Sequence, residues 1–133
     1  MGNNRKKTMA KIPTILAIDD NETQLDIFKK ILGPKYEICT ADSASSAMHF
    51  LNKEKADLIL LDIAMPNISG LDFLYDIRKI PSYMNVPIII VSGIPGQDFL
   101  NKAKESSAFD VLFKPVKQET LIKTIEAAFA GTV

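Results

Sequence analysis

The sequence predicts an α/β fold, one parallel β-sheet covered by helices on both faces, in a single domain. Two observations predict it. From Lys11 onward, short apolar runs alternate with segments of helical period, the pattern of repeated βαβ units. Two of those runs, DLILL and PIIIV, are nearly continuous hydrocarbon, as a parallel strand buried on both faces should be. The size agrees: 133 residues, 47% hydrophobic and 24% charged, match one ordinary globular domain.

The elements follow in order. TILAI (residues 14–18) is the first strand, and Leu25, Phe28 and Leu32 mark a helix that Gly33-Pro34 ends. YEIC (36–39) is the second strand, and its alternation places it at an edge. Asp42 or Ser43 caps the second helix, which Ala44, Ala47, Met48 and Leu51 define. DLILL (57–61) leads to a third helix through Leu71, Leu74 and Ile77. PIIIV (87–91) precedes a shorter fourth helix through Phe99, Leu100 and Ala103. FDVLF (109–113) is the fifth strand, and Leu121, Ile122, Ile125, Ala128 and Phe129 form the last helix, with Gly131 behind it. No internal repeat, low-complexity run or linker divides the chain.

Residues 12–130 are thus the expected domain, and residues 1–11 a basic N-terminal extension expected to be flexible. MGNNRKKTMAK lacks the apolar stretch of a signal peptide. It begins Met-Gly, yet Lys6 stands where a myristoylation signal wants Ser or Thr. Arg5, Lys6, Lys7 and Lys11 come without an aromatic to stack on bases. Sixteen acidic residues balance sixteen basic ones, so overall charge points to neither nucleic acid nor membrane. A single cysteine, Cys39, favours a reducing compartment, and no apolar run approaches the roughly 20 residues of a membrane span. A cytoplasmic protein is expected.

In open parallel sheets ligands bind beyond the carboxyl ends of the strands. Asp19-Asp20-Asn21 follows the first strand, Asp62 the third, Ser92-Gly93 the fourth and Lys114-Pro115 the fifth. The parallel architecture brings these groups to one edge. Two carboxylates about 4 Å apart repel by roughly 4 kcal/mol at an effective dielectric near 20, so Asp19, Asp20 and Asp62 must take up protons or hold a cation. Mg²⁺ suits them, because it binds through one or two carboxylates and completes its shell with water and phosphate oxygens. Lys114 adds a mobile positive charge and Ser92 a hydroxyl donor. Together these are the parts a phosphoryl group needs, with Asp62 as its nucleophile.

Asp-Asp after the first strand, Asp-x-x-Met-Pro-x-x-x-Gly after the third, Ser after the fourth and Lys-Pro after the fifth resemble the receiver domain of two-component response regulators, the CheY-like superfamily. The resemblance spans residues 12–129. It implies a flavodoxin-like (βα)₅ three-layer sandwich, a five-stranded parallel sheet in the order 2-1-3-4-5. It implies a phosphoacceptor that takes a phosphoryl group from a sensor histidine kinase or phosphotransfer protein onto Asp62, with Mg²⁺ as cofactor. By the resemblance Asp20 and Asp62 ligate Mg²⁺ directly, Ala64 contributes its backbone carbonyl and Asp19 acts through water. Ser92 bonds a phosphoryl oxygen and Lys114 pairs with the phosphorylated carboxylate. Met65, Pro66 and Gly70 shape the loop after Asp62, and Gly93 leaves room for the phosphoryl group. Such a domain is a signalling protein that assists its own phosphorylation and dephosphorylation, and it meets an output domain or partner through the fourth helix, fifth strand and last helix.

Two positions depart from the family pattern. Val111 stands where the family carries Tyr or Phe three residues before the lysine, a side chain whose rotamer accompanies signalling. Phe109 and Phe113 are not assigned that role, and both are read, with Phe99, as core or partner surface. The segment Ser106-Ser107-Ala108-Phe109-Asp110 replaces an Ala-Gly-Ala-Asp-Asp-like turn, and without the glycine an atypical turn is expected.

Asp19-Asp20 could be an N-cap pair, His49 a solvated or packing residue, and Cys39 a small core hydrophobe. A haloacid dehalogenase-type hydrolase needs a second Asp where this chain has Ala64. A flavodoxin-like cofactor carrier needs a hydroxyl- and glycine-rich loop where Asp-Asp-Asn stands. The remaining alternative is a receiver-like interaction module not regulated by phosphorylation, which typically lacks one of the acidic or lysine positions; all are present here.

Overall fold

The computed structural model describes residues 12–64, 70–93, 101 and 105–131. The extension 1–11, Met65, Pro66 and the expected fourth-helix residues Phe99, Leu100 and Ala103 lie outside the described residues. The elements are β1 (Thr14–Ile18), α1 (Glu22–Leu32), β2 (Glu37–Ala41), α2 (Ala44–Lys53), β3 (Leu58–Asp62), α3 (Gly70–Arg78), a 3₁₀ turn (Pro81–Tyr83), β4 (Ile88–Ser92), β5 (Asp110–Phe113) and α4 (Gln118–Ala130). The five strands pair in parallel in the order β2-β1-β3-β4-β5. Among the described residues no helix is long and apolar enough to cross a membrane.

Strand alternation divides the core into two layers. Leu16, Ile18, Ile59, Leu61, Ile88 and Ile90 face Ala47 and Leu51 of α2 and Phe73, Leu74 and Ile77 of α3. Ile15, Ala17, Leu58, Leu60, Ile89 and Val91 face Leu25, Phe28 and Leu32 of α1 and Leu121, Ile125 and Ala128 of α4. This is the expected three-layer sandwich. Every residue of β3 and β4 is buried, whereas β2 is mostly half-exposed and forms one edge.

Several boundaries move for local reasons. β3 and β4 run one residue further than the hydrocarbon does, because Asp62 pairs with Val91 and Ser92 with Phe113 in the parallel ladders. Asn21, not Asp19 or Asp20, caps α1, its side chain accepting a hydrogen bond from the Gln24 amide at 3.0 Å. Ser43 caps α2 in a reciprocal capping box with Ser46. Cys39 is half-buried against the α2/α3 layer, and burial pushes its thiol pKa up, away from reactivity. His49 is solvent-exposed.

β5 decides between two expectations. Leu112 is buried in the α1/α4 layer and Val111 is half-buried against the α2/α3 layer. Phe109 and Phe113 are 44% and 41% exposed, so neither is a core residue. By alternation they share Val111's side of the strand, beyond the reach of the helices that cover the central strands. The turn before β5 is atypical, as expected: Ser107 itself adopts the left-handed conformation, with φ 69°, in place of the glycine that would favour it.

Below the sheet, Tyr83 is 1% exposed. Its hydroxyl accepts from the Ala56 amide at 3.1 Å and donates to the Glu54 carbonyl at 3.0 Å, tying the α2–β3 connection to the 3₁₀ turn. Tyr83→Phe keeps the ring but strands a buried amide. We expect it to destabilise the protein by about 1–2 kcal/mol in urea unfolding, with an unchanged slope.

Candidate functional site

β1 delivers Asp19 one residue past its end at Ile18, with the Asp19 amide donating to the Ala41 carbonyl at 3.1 Å. The Asp19 side chain is fully buried. One oxygen, Oδ1, accepts the Asn21 amide at 2.9 Å, so the turn that starts α1 also orients the carboxylate. The other, Oδ2, lies 3.0 Å from the Lys114 ammonium. Sequence reasoning missed this double role of Asn21, although an Asn directly before a run of helix formers is a cap signal.

Asp62 closes β3 at 3% exposure. Its Oδ1 accepts the Ala64 amide at 3.1 Å, and its Oδ2 lies 3.6 Å from the Lys114 ammonium. Lys114 extends from the end of β5, where its amide bonds the Ser92 carbonyl at 2.8 Å, and it reaches both carboxylates. Ser92 is buried at the end of β4. Asp20 lies exposed at the rim, and one oxygen from each of Asp19, Asp20 and Asp62 falls within 4.8 Å of the others. Ala64 is exposed beside Asp62. Gly93 faces open space, where a Cβ would meet nothing within 4 Å. All the residues singled out from the sequence, Asp19, Asp20, Asp62, Ala64, Ser92 and Lys114, therefore meet at one end of the sheet.

Burial pushes the Asp62 carboxyl above the ordinary carboxylate range; the Ala64 amide opposes this, the Asp19 charge adds to it and the Lys114 ammonium opposes it. Three carboxylates face one ammonium, an excess of negative charge with oxygen donors converging from two strands. That donor set fits a hard divalent cation and fits nothing anionic unless a cation comes with it.

With this geometry in hand, comparison with known proteins is direct. Residues 15–126 match the response regulator receiver domain family. The chain belongs to this family. The Pseudomonas aeruginosa protein PilH is 31% identical over 118 residues, covering 88% of this chain and 98% of PilH. The 3',5'-cyclic-nucleotide phosphodiesterase regA of Dictyostelium discoideum is 32% identical over 116 residues, but the chain spans only 15% of it. Among solved structures, a response regulator receiver domain protein (CheY-like) from Methanospirillum hungatei JF-1 superposes with a TM-score of 0.84 at 25% identity, covering 91% of this chain and 96% of that one. A receiver domain protein from Clostridium thermocellum gives 0.82 at 32% identity, covering 90% and 96%. As a receiver domain, the chain is part of the signalling machinery of two-component systems, and its (βα)₅ order is the one that the sequence resemblance implied.

The raised Asp62 pKa has a consequence for stability. Because the folded-state value lies above the unfolded one, the folded chain binds more proton between the two, and stability falls as pH rises through that interval. Above the folded-state value the whole cost is present. Asp62→Asn, which keeps an oxygen for the Ala64 amide, should therefore stabilise the protein in chelator-treated buffer at pH 7 by about 1 kcal/mol, the scale of functional-site trade-offs. The gain should shrink as pH falls towards the ordinary carboxylate range, as urea midpoints across pH would show.

Proposed function

We propose that Asp62 is the phosphoacceptor of this receiver domain, in a reaction that requires Mg²⁺. The observation that carries the reading is the buried pair Asp19 and Asp62 bridged by Lys114, with Asp20 at the rim and Ser92 on the adjacent strand. A carboxylate oxygen of Asp62 attacks the phosphorus of a phosphohistidine on a sensor kinase or phosphotransfer protein. The P–N bond breaks and the imidazole leaves with the electron pair. β3 holds the nucleophile rigidly, since all five of its residues are buried, and the Ala64 amide orients its carboxylate. Lys114 and Ser92 are positioned to pair with oxygens of the transferred group.

Mg²⁺ would be held by Asp20 and Asp62 with the Ala64 carbonyl, and by Asp19 through water, and it supplies positive charge against the phosphoryl oxygens. The route outward is the surface of β5, α4 and the fourth helix expected from the sequence, which meets an output domain or partner protein. Val111, half-buried in the α2/α3 layer, has little to swing, so backbone movement at Ser92 and Lys114 carries the change.

Intact-mass measurement after incubation with acetyl phosphate and Mg²⁺ should show one added phosphoryl group on the wild type and none on Asp62→Asn; phosphate on the variant would refute the assignment. Mg²⁺ titration should show a larger loss of affinity, about tenfold or more, for Asp20→Ala than for Asp19→Ala, as expected when a direct ligand is compared with an outer-shell one. Equal losses would reverse or merge the two roles.

A further inference from the structure

The end of the sheet opposite the carboxylates is organised around one side chain. Arg78 is the last residue of α3, and its guanidinium is half-buried between three segments. Its Nη1 donates to the Tyr83 carbonyl at 2.8 Å and to the Val86 carbonyl at 2.6 Å. Its Nε donates to the Ser107 hydroxyl at 3.0 Å, and its Nη2 to the Ser107 carbonyl at 3.0 Å. Four of the five N–H donors of the rigid fork are thereby engaged.

Three elements converge on this side chain, α3 that ends in it and β4 and β5 that follow its acceptors Val86 and Ser107. α3 begins just after the loop that follows Asp62, β4 ends on Ser92, and β5 leads into Lys114. Val86 lies just before β4 and Ser107 just before β5. One guanidinium therefore holds the far ends of the three elements whose near ends carry or follow the site residues. The separation is about 13 Å along the nine residues of α3 and about 16 Å along the five of β4.

We infer that Arg78 is a positioning residue that makes this end a pivot, so that rearrangement around Asp62 tilts β4 and β5 about the clamp instead of sliding them along α3. Ser107 shows the clamp's hold. A non-glycine residue at φ 69° is disfavoured by its own Cβ, and Ser107 accepts two bonds from Arg78 in that conformation. Two residues on, the Phe109 amide donates to the Ile88 carbonyl at 2.8 Å, so the held turn sets where β5 begins to pair with β4. A lysine at position 78 keeps charge and stem but cannot reach all four acceptors, because it lacks the planar fork.

The inference rests on the phosphoacceptor reading only in its second part, and hydrogen exchange separates the two. Without ligand, Arg78→Lys should speed exchange of the Phe109 and Val111 amides about tenfold relative to Leu16 and Ala17 in β1. Ser107→Ala, which removes only the hydroxyl bond, should give a smaller rise at the same amides, and it serves if the lysine variant does not fold. With Mg²⁺ and beryllofluoride, a phosphoryl mimic whose occupancy is read by fluorine NMR, wild-type changes should concentrate near Ser92 and Lys114 and spare Phe109. In the Arg78 variant they should extend to Phe109 and Ile90. A rise shared equally by all strands, no rise, or mimic-induced changes identical in both proteins would overturn the pivot. If the mimic fails to occupy the wild type, the phosphoacceptor reading falls, and the unliganded comparison still decides the clamp.

Discussion

The arrangement of the site depends on one ammonium group. Asp19 and Asp62 are both almost wholly removed from solvent, and side by side in a low-dielectric environment they repel strongly. Lys114 reaches from β5 to within 3.0 Å of one and 3.6 Å of the other. Its attraction is what allows two strand ends carrying like charges to stay in register between β1 and β3. The residual imbalance, with Asp20 still at the rim, leaves the site prepared for a further cation.

The rest of the fold can be seen as what holds that unfavourable cluster in place. β1, β3 and β4 are the three central strands, packed on both faces by residues of nearly zero exposure. Close-packed interiors resist small displacements, so the backbone beneath Asp19, Asp62 and Ser92 cannot relax to separate the charges. The local turns serve the same end. Asn21 caps α1 and lends its amide to Asp19, and Ala64 does likewise for Asp62. Burial of charge is thus offset by backbone donors and by one mobile side chain, with the apolar layers providing the surplus.

The opposite end of the sheet is built from different parts. There, the Thr14 amide donates to the Asp57 carboxylate, the Tyr83 hydroxyl bridges the α2–β3 connection, and Arg78 donates to the Tyr83, Val86 and Ser107 carbonyls. Polar side chains thus cap the sheet at this end, whereas the carboxylates gather at the other. Such a division suits the proposed relay through backbone movement, since Val111 offers no aromatic side chain to rotate.

The sequence by itself determined the alternation of strand and helix, the burial of LILL and IIIV, the edge position of YEIC, and the four polar strand ends that form the site. Period and hydrocarbon content are local properties, and a parallel sheet necessarily collects its strand ends along one edge. Tertiary structure decided the rest. Asp62 and Ser92 joined their strands because the neighbouring ladders continued past the hydrocarbon. Phe109 and Phe113 could be read as core or as partner surface, and only their exposure at the start and end of the outer strand separates the two. Ser107 has the conformation of a glycine and takes two bonds from Arg78, 29 residues earlier, that no local rule could have placed there. Partners separated that far in sequence meet only once the layers have packed, and no periodicity within either segment records that they will.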